Sequence, residues 1–185
     1  MTRVFLGGSR KIFKLNNPVK ERLKNILDNH FTVLIGDANG ADKAFQIYLK
    51  ENDYKSVIVY CSGNICRNNI GNWNSVKVGT DTKNKNLDFY MLKDKEMAEK
   101  AEYGFMVWDG KSAGTLNNIL NLLSLQKKSL IYFSPLNKLY TISNLENLSN
   151  LLKGCNDIDL LKIDKKINYK KRMDDMKLIQ YELIN

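Results

Sequence analysis

The chain is poor in the residues that build small disulfide or metal scaffolds: its 185 residues include three cysteines and one histidine. Three cysteines with no signal-like N-terminus point to a reduced, cytoplasmic protein rather than a disulfide framework. With one histidine no Cys–His zinc site can form, and Cys61 and Cys66 lack a second pair, so neither metal nor cofactor is expected. His30 falls at the end of a helical pattern, where it reads as a C-terminal cap. No apolar run approaches the roughly 20 residues that a membrane span needs. Internal repeats and low-complexity linkers are also missing.

Arginine is scarce too, with 5 among the 29 basic residues, against 20 acidic ones for a net charge of +9. The excess is spread: +4 over residues 1–60, +2 over 61–100, +1 over 101–152 and +2 over 153–185. A nucleic-acid arm concentrates its charge and uses arginine for bidentate contacts. Lysine spread among 23 asparagines reads instead as a solvated basic surface, with nucleic acid a possible but unfavoured partner.

The rest of the composition is that of an ordinary globular chain, 43% hydrophobic and 26% charged, and long enough to bury a core. Runs rich in β-branched and aromatic residues predict strands at 3–6, 31–35, 56–60, 103–108 and 129–133. Helical periodicity predicts helices at 18–29, 40–51, 87–100 and 114–126 between them, with Pro18 suited to a first turn. Residues 61–86 read as one long loop. A small strand at 138–142 and a helix at 145–152 close a domain of residues 1–152. Residues 153–185 form a basic and acidic C-terminal extension with a helix near 173–183. Alternating strands and helices imply an α/β three-layer sandwich: a mainly parallel sheet of order 3-2-1-4-5 with helices on both faces. Ligands in such sheets bind at the strand C-termini, where the order reverses between strands one and four.

Three glycine loops leave that rim. Strand one ends in Gly7-Gly8-Ser9-Arg10, and strand two in Gly36-Asp37-Ala38-Asn39-Gly40-Ala41-Asp42. Strand four ends in Trp108-Asp109-Gly110-Lys111-Ser112-Ala113-Gly114-Thr115. Glycine lets backbone amides converge on one point, and a helix N-terminus adds partial positive charge. Hydroxyls on Ser9, Ser112 and Thr115 and cations on Arg10 and Lys111 complete what a phosphate or phosphoribosyl group requires. Two other motifs fail. Gly110-Lys111-Ser112 resembles the end of a P-loop, but Phe105 stands where that motif needs its first glycine. A dinucleotide fingerprint is absent after strand one.

The loops G-G-S-R, G-x-A-x-G-A-D and W-D-G-K-S-x-G-T, in this order over about residues 3–133, resemble the SLOG superfamily. That superfamily includes the Lonely Guy phosphoribohydrolases, DprA and the YspA/YpsA-related proteins. The second loop is most like the YspA/YpsA-related branch. The resemblance implies a Rossmann-like fold that binds a nucleotide or nucleotide-derived ligand at this rim. The implied ligand-binding residues are Gly7, Gly8, Ser9, Arg10, Gly36, Asp37, Gly40, Asp42, Asp109, Gly110, Lys111, Ser112, Gly114 and Thr115. The phosphoribohydrolases carry a glutamate where this chain has Asn117-Asn118, and an amide cannot move a proton as a carboxylate does. A sensor or sequestering module is therefore expected, with N-glycosidic hydrolysis or transfer and DprA-like DNA binding as alternatives.

One other carboxylate could serve chemistry. Leu87, Met91, Asp94, Ala98 and Ala101 recur at helical spacing, which places Asp94 in an apolar stripe facing the sheet. Buried there, it is either hydrogen-bonded to a neighbouring loop or held on a ligand, as nucleophile or ribose contact. Asp42 falls in a first helical turn, where the helix dipole accounts for it. Trp73, with Arg67, Lys77, Lys83 and Lys85, either stacks a base or anchors the long loop. A homodimer paired through the strand-five edge and the C-terminal helix is expected from the resemblance.

Overall fold

Among the described residues seven strands form one sheet, in the order Asn74–Val78, Val57–Ser62, Thr32–Gly36, Arg3–Gly8, Tyr103–Trp108, Ser129–Phe133 and Lys138–Ile142, all parallel except the last. The computed structural model describes residues 1–79 and 87–182. In chain order its elements are β1 (Arg3–Gly8), α1 (Asn17–Asp28), β2 (Thr32–Gly36), α2 (Ala41–Glu51) and β3 (Val57–Ser62). Then come β4 (Asn74–Val78), α3 (Leu87–Lys100), β5 (Tyr103–Trp108), α4 (Ala113–Ser124) and β6 (Ser129–Phe133). The chain continues through β7 (Lys138–Ile142), α5 (Leu145–Leu152), α6 (Asp157–Ile167) and α7 (Tyr169–Glu182). Lys83 and Lys85, expected in the long loop, and residue 183, expected in the C-terminal helix, lie outside the described residues.

The layers follow from strand alternation. Phe5, Leu34, Met106, Trp108 and Phe133 point to one face, where α3, α4 and the C-terminal helices cover them. Val4, Leu6, Val33, Ile35, Phe105 and Val107 point to the other, under α1 and α2. Strands buried on both faces read as unbroken apolar runs, which is why these segments were legible as strands. Local chemistry fixes the helix starts. Asn16 caps α1, with a proline in the first turn, and Ser112 caps α4 through the Thr115 amide.

Four expectations are corrected. The whole-sheet order is not the five-strand 3-2-1-4-5; those five segments lie within a sheet extended by one strand at each edge. The extra strand on one side is β4, inside the segment read as loop. Asn74, Ser75 and Lys77 are exposed, and a single layer of partly buried Val76 and Val78 gives too weak an apolar signal. On the other side β7 pairs antiparallel with β6, so the edge of the fifth expected strand is not open for a partner. Finally, Cys61 and Cys66 form a disulfide, because the turn after β3 brings their Cα atoms within 5.0 Å.

The C-terminal segment packs on the sheet's own core. Ile163, Ile167, Tyr169 and Met173 are buried in the cluster that contains α4. The Arg172 guanidinium donates to the side-chain oxygens of Asn117 (2.7 Å) and Asn121 (2.8 Å) on the back of that helix. No described helix is long and apolar enough to cross a membrane.

Candidate functional site

β1 lies between β2 and β5, so the chain reverses direction across the sheet at this point and the helices diverge. The space between them is a cleft of about 870 Å³ at the strand C-termini. Its walls come from the β1 loop, Ala38 and Asp42 between β2 and α2, the loop into α4, the inner face of α3, one residue of the 63–73 loop and Lys166 of α6.

The loop into α4 is built by its own side chains. Asp109 Oδ1 accepts the Ser9 hydroxyl and the backbone amides of Lys111 and Ser112, each at 2.9 Å. Ser112 Oγ accepts the Thr115 amide at 3.3 Å and the Thr115 hydroxyl at 3.0 Å. Ser9 is fully buried and ties this loop to the β1 loop, its amide donating to the Val107 carbonyl. Several groups expected to hold a phosphate therefore already hold one another. The amides of Ala113 and Gly114 remain, without a partner among the described residues and at the positive end of the α4 dipole.

The glycines separate in the same way. A Cβ on Gly8 would overlap the Val107 carbonyl, and one on Gly40 (φ +83°) would overlap the Arg10 backbone. One on Gly36 would collide with the Asp42 carboxylate. These three are glycines so that the chain can pack. Gly114 differs: a Cβ there meets nothing within 4 Å, because it faces the open cleft.

Of the expected ligand residues, Gly7, Gly8, Arg10, Asp42, Asp109, Lys111, Ser112, Gly114 and Thr115 line the cleft, as does Asp94. Ser9, Gly36, Asp37, Gly40 and Gly110 do not; they support the loops from behind. Asp37 is fully buried against Arg67, whose guanidinium lies at 2.5 Å. Burial works to raise the Asp37 pKa, but Arg67 outweighs it and holds the carboxyl below its ordinary range.

Sequence reasoning missed Lys93. Its ammonium is 4% exposed and lies 2.5 Å from Asp94 Oδ1, with Asp42 also nearby. Burial opposes the charge on Lys93, yet the two carboxylates together raise its pKa. Asp42 is pushed up to about 6, chiefly by burial, with Lys93 acting the other way and Asp94 reinforcing it. Asp42 Oδ2 also accepts the Ala38 amide at 3.2 Å. The signal was present: Phe89, Lys93 and Met97 recur every fourth residue in α3, and the outer two are apolar. Among the described residues no group of three or more His, Cys, Asp or Glu is arranged to hold a metal.

The inner wall is apolar, formed by Phe5, Met91 and Met97, and interrupted by one carboxamide. Asn118 is 6% exposed, and its Oδ1 is buried without a hydrogen-bond partner among the described residues. Leaving such an atom unpaired costs stability, and ligand sites are where proteins retain that cost. At the mouth, the guanidinium groups of Arg67 and Arg10 approach the Tyr90 ring at 4.6 and 5.2 Å.

No protein-family model matches the chain. No curated protein matches it either. Among solved structures, the fold is similar to that of DNA processing protein A from Helicobacter pylori, a protein described for its single-stranded DNA binding mode. The likeness has a TM-score of 0.56 at 15% identity and covers 90% of this chain and 80% of that one. It supports the Rossmann-like fold that the loop resemblance implied.

Proposed function

We propose that the protein binds a nucleotide or nucleotide-derived phosphate in the cleft at the β1–β5 reversal, as a binding module. One observation carries the reading: the Ala113 and Gly114 amides, unpaired among the described residues, lie on the cleft wall where the side-chain oxygens around them are already engaged. A phosphate oxygen is the acceptor those donors fit. The buried, unpaired Asn118 oxygen further along the same wall suits a hydrogen-bond donor on the rest of such a ligand. The cleft volume is in the range of small-molecule sites. Placement in the YspA/YpsA-related branch rests on the Gly36–Asp42 loop alone.

Calorimetric titration of nucleoside monophosphates into the wild-type chain and a Gly114→Trp variant tests this. Because nothing lies above Gly114, the indole fills the cleft without disturbing the fold. Binding weakened by about 100-fold, roughly 2.7 kcal/mol, with an unchanged Tm is the expected result. Equal affinity in both proteins would remove the site. Asp94 is paired to Lys93, so no free base should accumulate above the buffer control. Turnover that disappears in Asp94→Asn would replace the binding reading with N-glycoside hydrolysis.

The fold likeness favours one second reading, single-stranded DNA binding across the same rim. That reading requires affinity for an oligonucleotide to fall steeply with salt, since counterion release drives such binding. A flat response would exclude it.

A further inference from the structure

Resting on the nucleotide reading of the cleft, we propose that Tyr90 is the surface on which the ligand's base stacks, and that Arg10 is the latch that uncovers it. The ligand chemistry is a nucleobase joined to a phosphate.

The two arginines at Tyr90 are held very differently. Arg67 is fixed: its amide, Nε and Nη2 all donate to the buried Asp37 carboxylate. Arg10 is exposed and makes no side-chain hydrogen bond or ion pair among the described residues; its contact with the Tyr90 ring is all that places it. Its backbone, in contrast, is pinned against Gly40, where no Cβ fits, so movement is confined to the side chain. Two cations beside one ring also repel each other, and an incoming anion relieves that repulsion.

The exchange is favourable on both sides. An exposed cation–π contact is weaker than the stacking of a base on an aromatic ring. The released guanidinium gains a charge-assisted contact to phosphate, which its planar fork suits. Arg67, tied to Asp37, stays over the ring, and the base takes the place that Arg10 leaves. Tyr90, Arg10 and the Gly114 amide all line one cleft, so base and phosphate can be engaged together.

The test compares adenosine monophosphate with ribose 5-phosphate, which lacks the base, by calorimetry on the full chain. The wild type should bind the nucleotide more tightly than the sugar phosphate. Tyr90→Leu should weaken the nucleotide by roughly tenfold and leave ribose 5-phosphate unchanged, while Tyr90→Phe keeps the preference. Arg10→Gln should weaken both ligands to a similar degree. Equal loss of both ligands in Tyr90→Leu, or no loss of either, overturns the stacking role while leaving the phosphate site standing. Failure of the wild type to bind either ligand overturns the nucleotide reading, and this proposal with it. A thymidine octamer and thymidine monophosphate separate the sources of the base. Tighter, Tyr90-dependent binding of the octamer supports the stack with a strand as its natural ligand; Tyr90-dependent binding of the monophosphate alone supports it with a free nucleotide.

Discussion

Arg67 grips a single carboxylate by three routes: its amide at 3.0 Å, its Nε at 3.1 Å and its Nη2 at 2.5 Å all donate to Asp37. Because Asp37 is fully buried, removing the arginine strands a charge. Arg67→Leu should therefore lower unfolding stability in urea by about 3–5 kcal/mol. The double variant Arg67→Leu/Asp37→Asn should recover much of that loss. The Asp37 pKa lies below its unfolded value, so its stabilisation holds above pH 3.8 and is lost as acid protonates the folded carboxyl. A single variant within about 1 kcal/mol of the wild type would show that the pair is not buried as described.

Asp42 has the opposite sign. Its folded pKa of about 6 exceeds the ordinary 3.8, so the native state holds a proton that the unfolded chain has released. The associated stability is complete below pH 3.8 and lost as pH rises through about 6. At about 1.4 kcal/mol per pH unit, the effect approaches 3 kcal/mol. Denaturation midpoints measured from pH 4 to 7 should show this decline in the wild type, and Asp42→Asn should flatten it. An identical slope in both proteins would assign the titration elsewhere.

Two alanine substitutions should separate packing glycines from the cleft glycine. Gly8→Ala forces a Cβ onto the Val107 carbonyl and should lower Tm clearly. Gly114→Ala has free space, sits inside α4 and should stabilise by up to about 1 kcal/mol through helix propensity. Thermal melts of the two variants moving together would contradict this division.

Asn118 gives a test in which stability and binding part company. Asn118→Leu removes a buried oxygen that has no partner among the described residues, so the free protein should be as stable as the wild type or more so. Nucleotide affinity should nonetheless fall about tenfold, as a lost buried hydrogen bond implies. Unchanged affinity would mean that the carboxamide does not meet the ligand.

What could be read from the sequence follows physical lines. The buried parallel strands carry continuous apolar runs, and the glycine loops after them mark the rim, so the layers and the β1–β5 reversal were legible. Edge strand β4 was not, because an edge needs only one half-covered side and Val76 and Val78 alone supply it. Helix α6 was overlooked although Asn156 caps it, Asp157 and Asp159 suit its first turn, and Lys165 and Lys166 suit its last. Its apolar content is low, and packing on α4 supplies the remainder. The disulfide depended on a turn whose path no spacing rule specifies. At the site, the glycine loops carried Arg10 and Lys111, and both line the cleft. The pairing of Arg67 with Asp37, and the approach of Lys93 to Asp42, join segments far apart in the chain.

The sheet's two outer strands bear on how copies of this chain meet. β4 and β7 are five residues each and carry exposed lysines, Lys77 and Lys138, on flanks that would otherwise invite another strand. Short, charged borders of this kind discourage chains from zipping together. Part of the lysine excess thus keeps neighbouring molecules from joining sheet to sheet, and leaves helix surfaces as the ground on which two copies could meet.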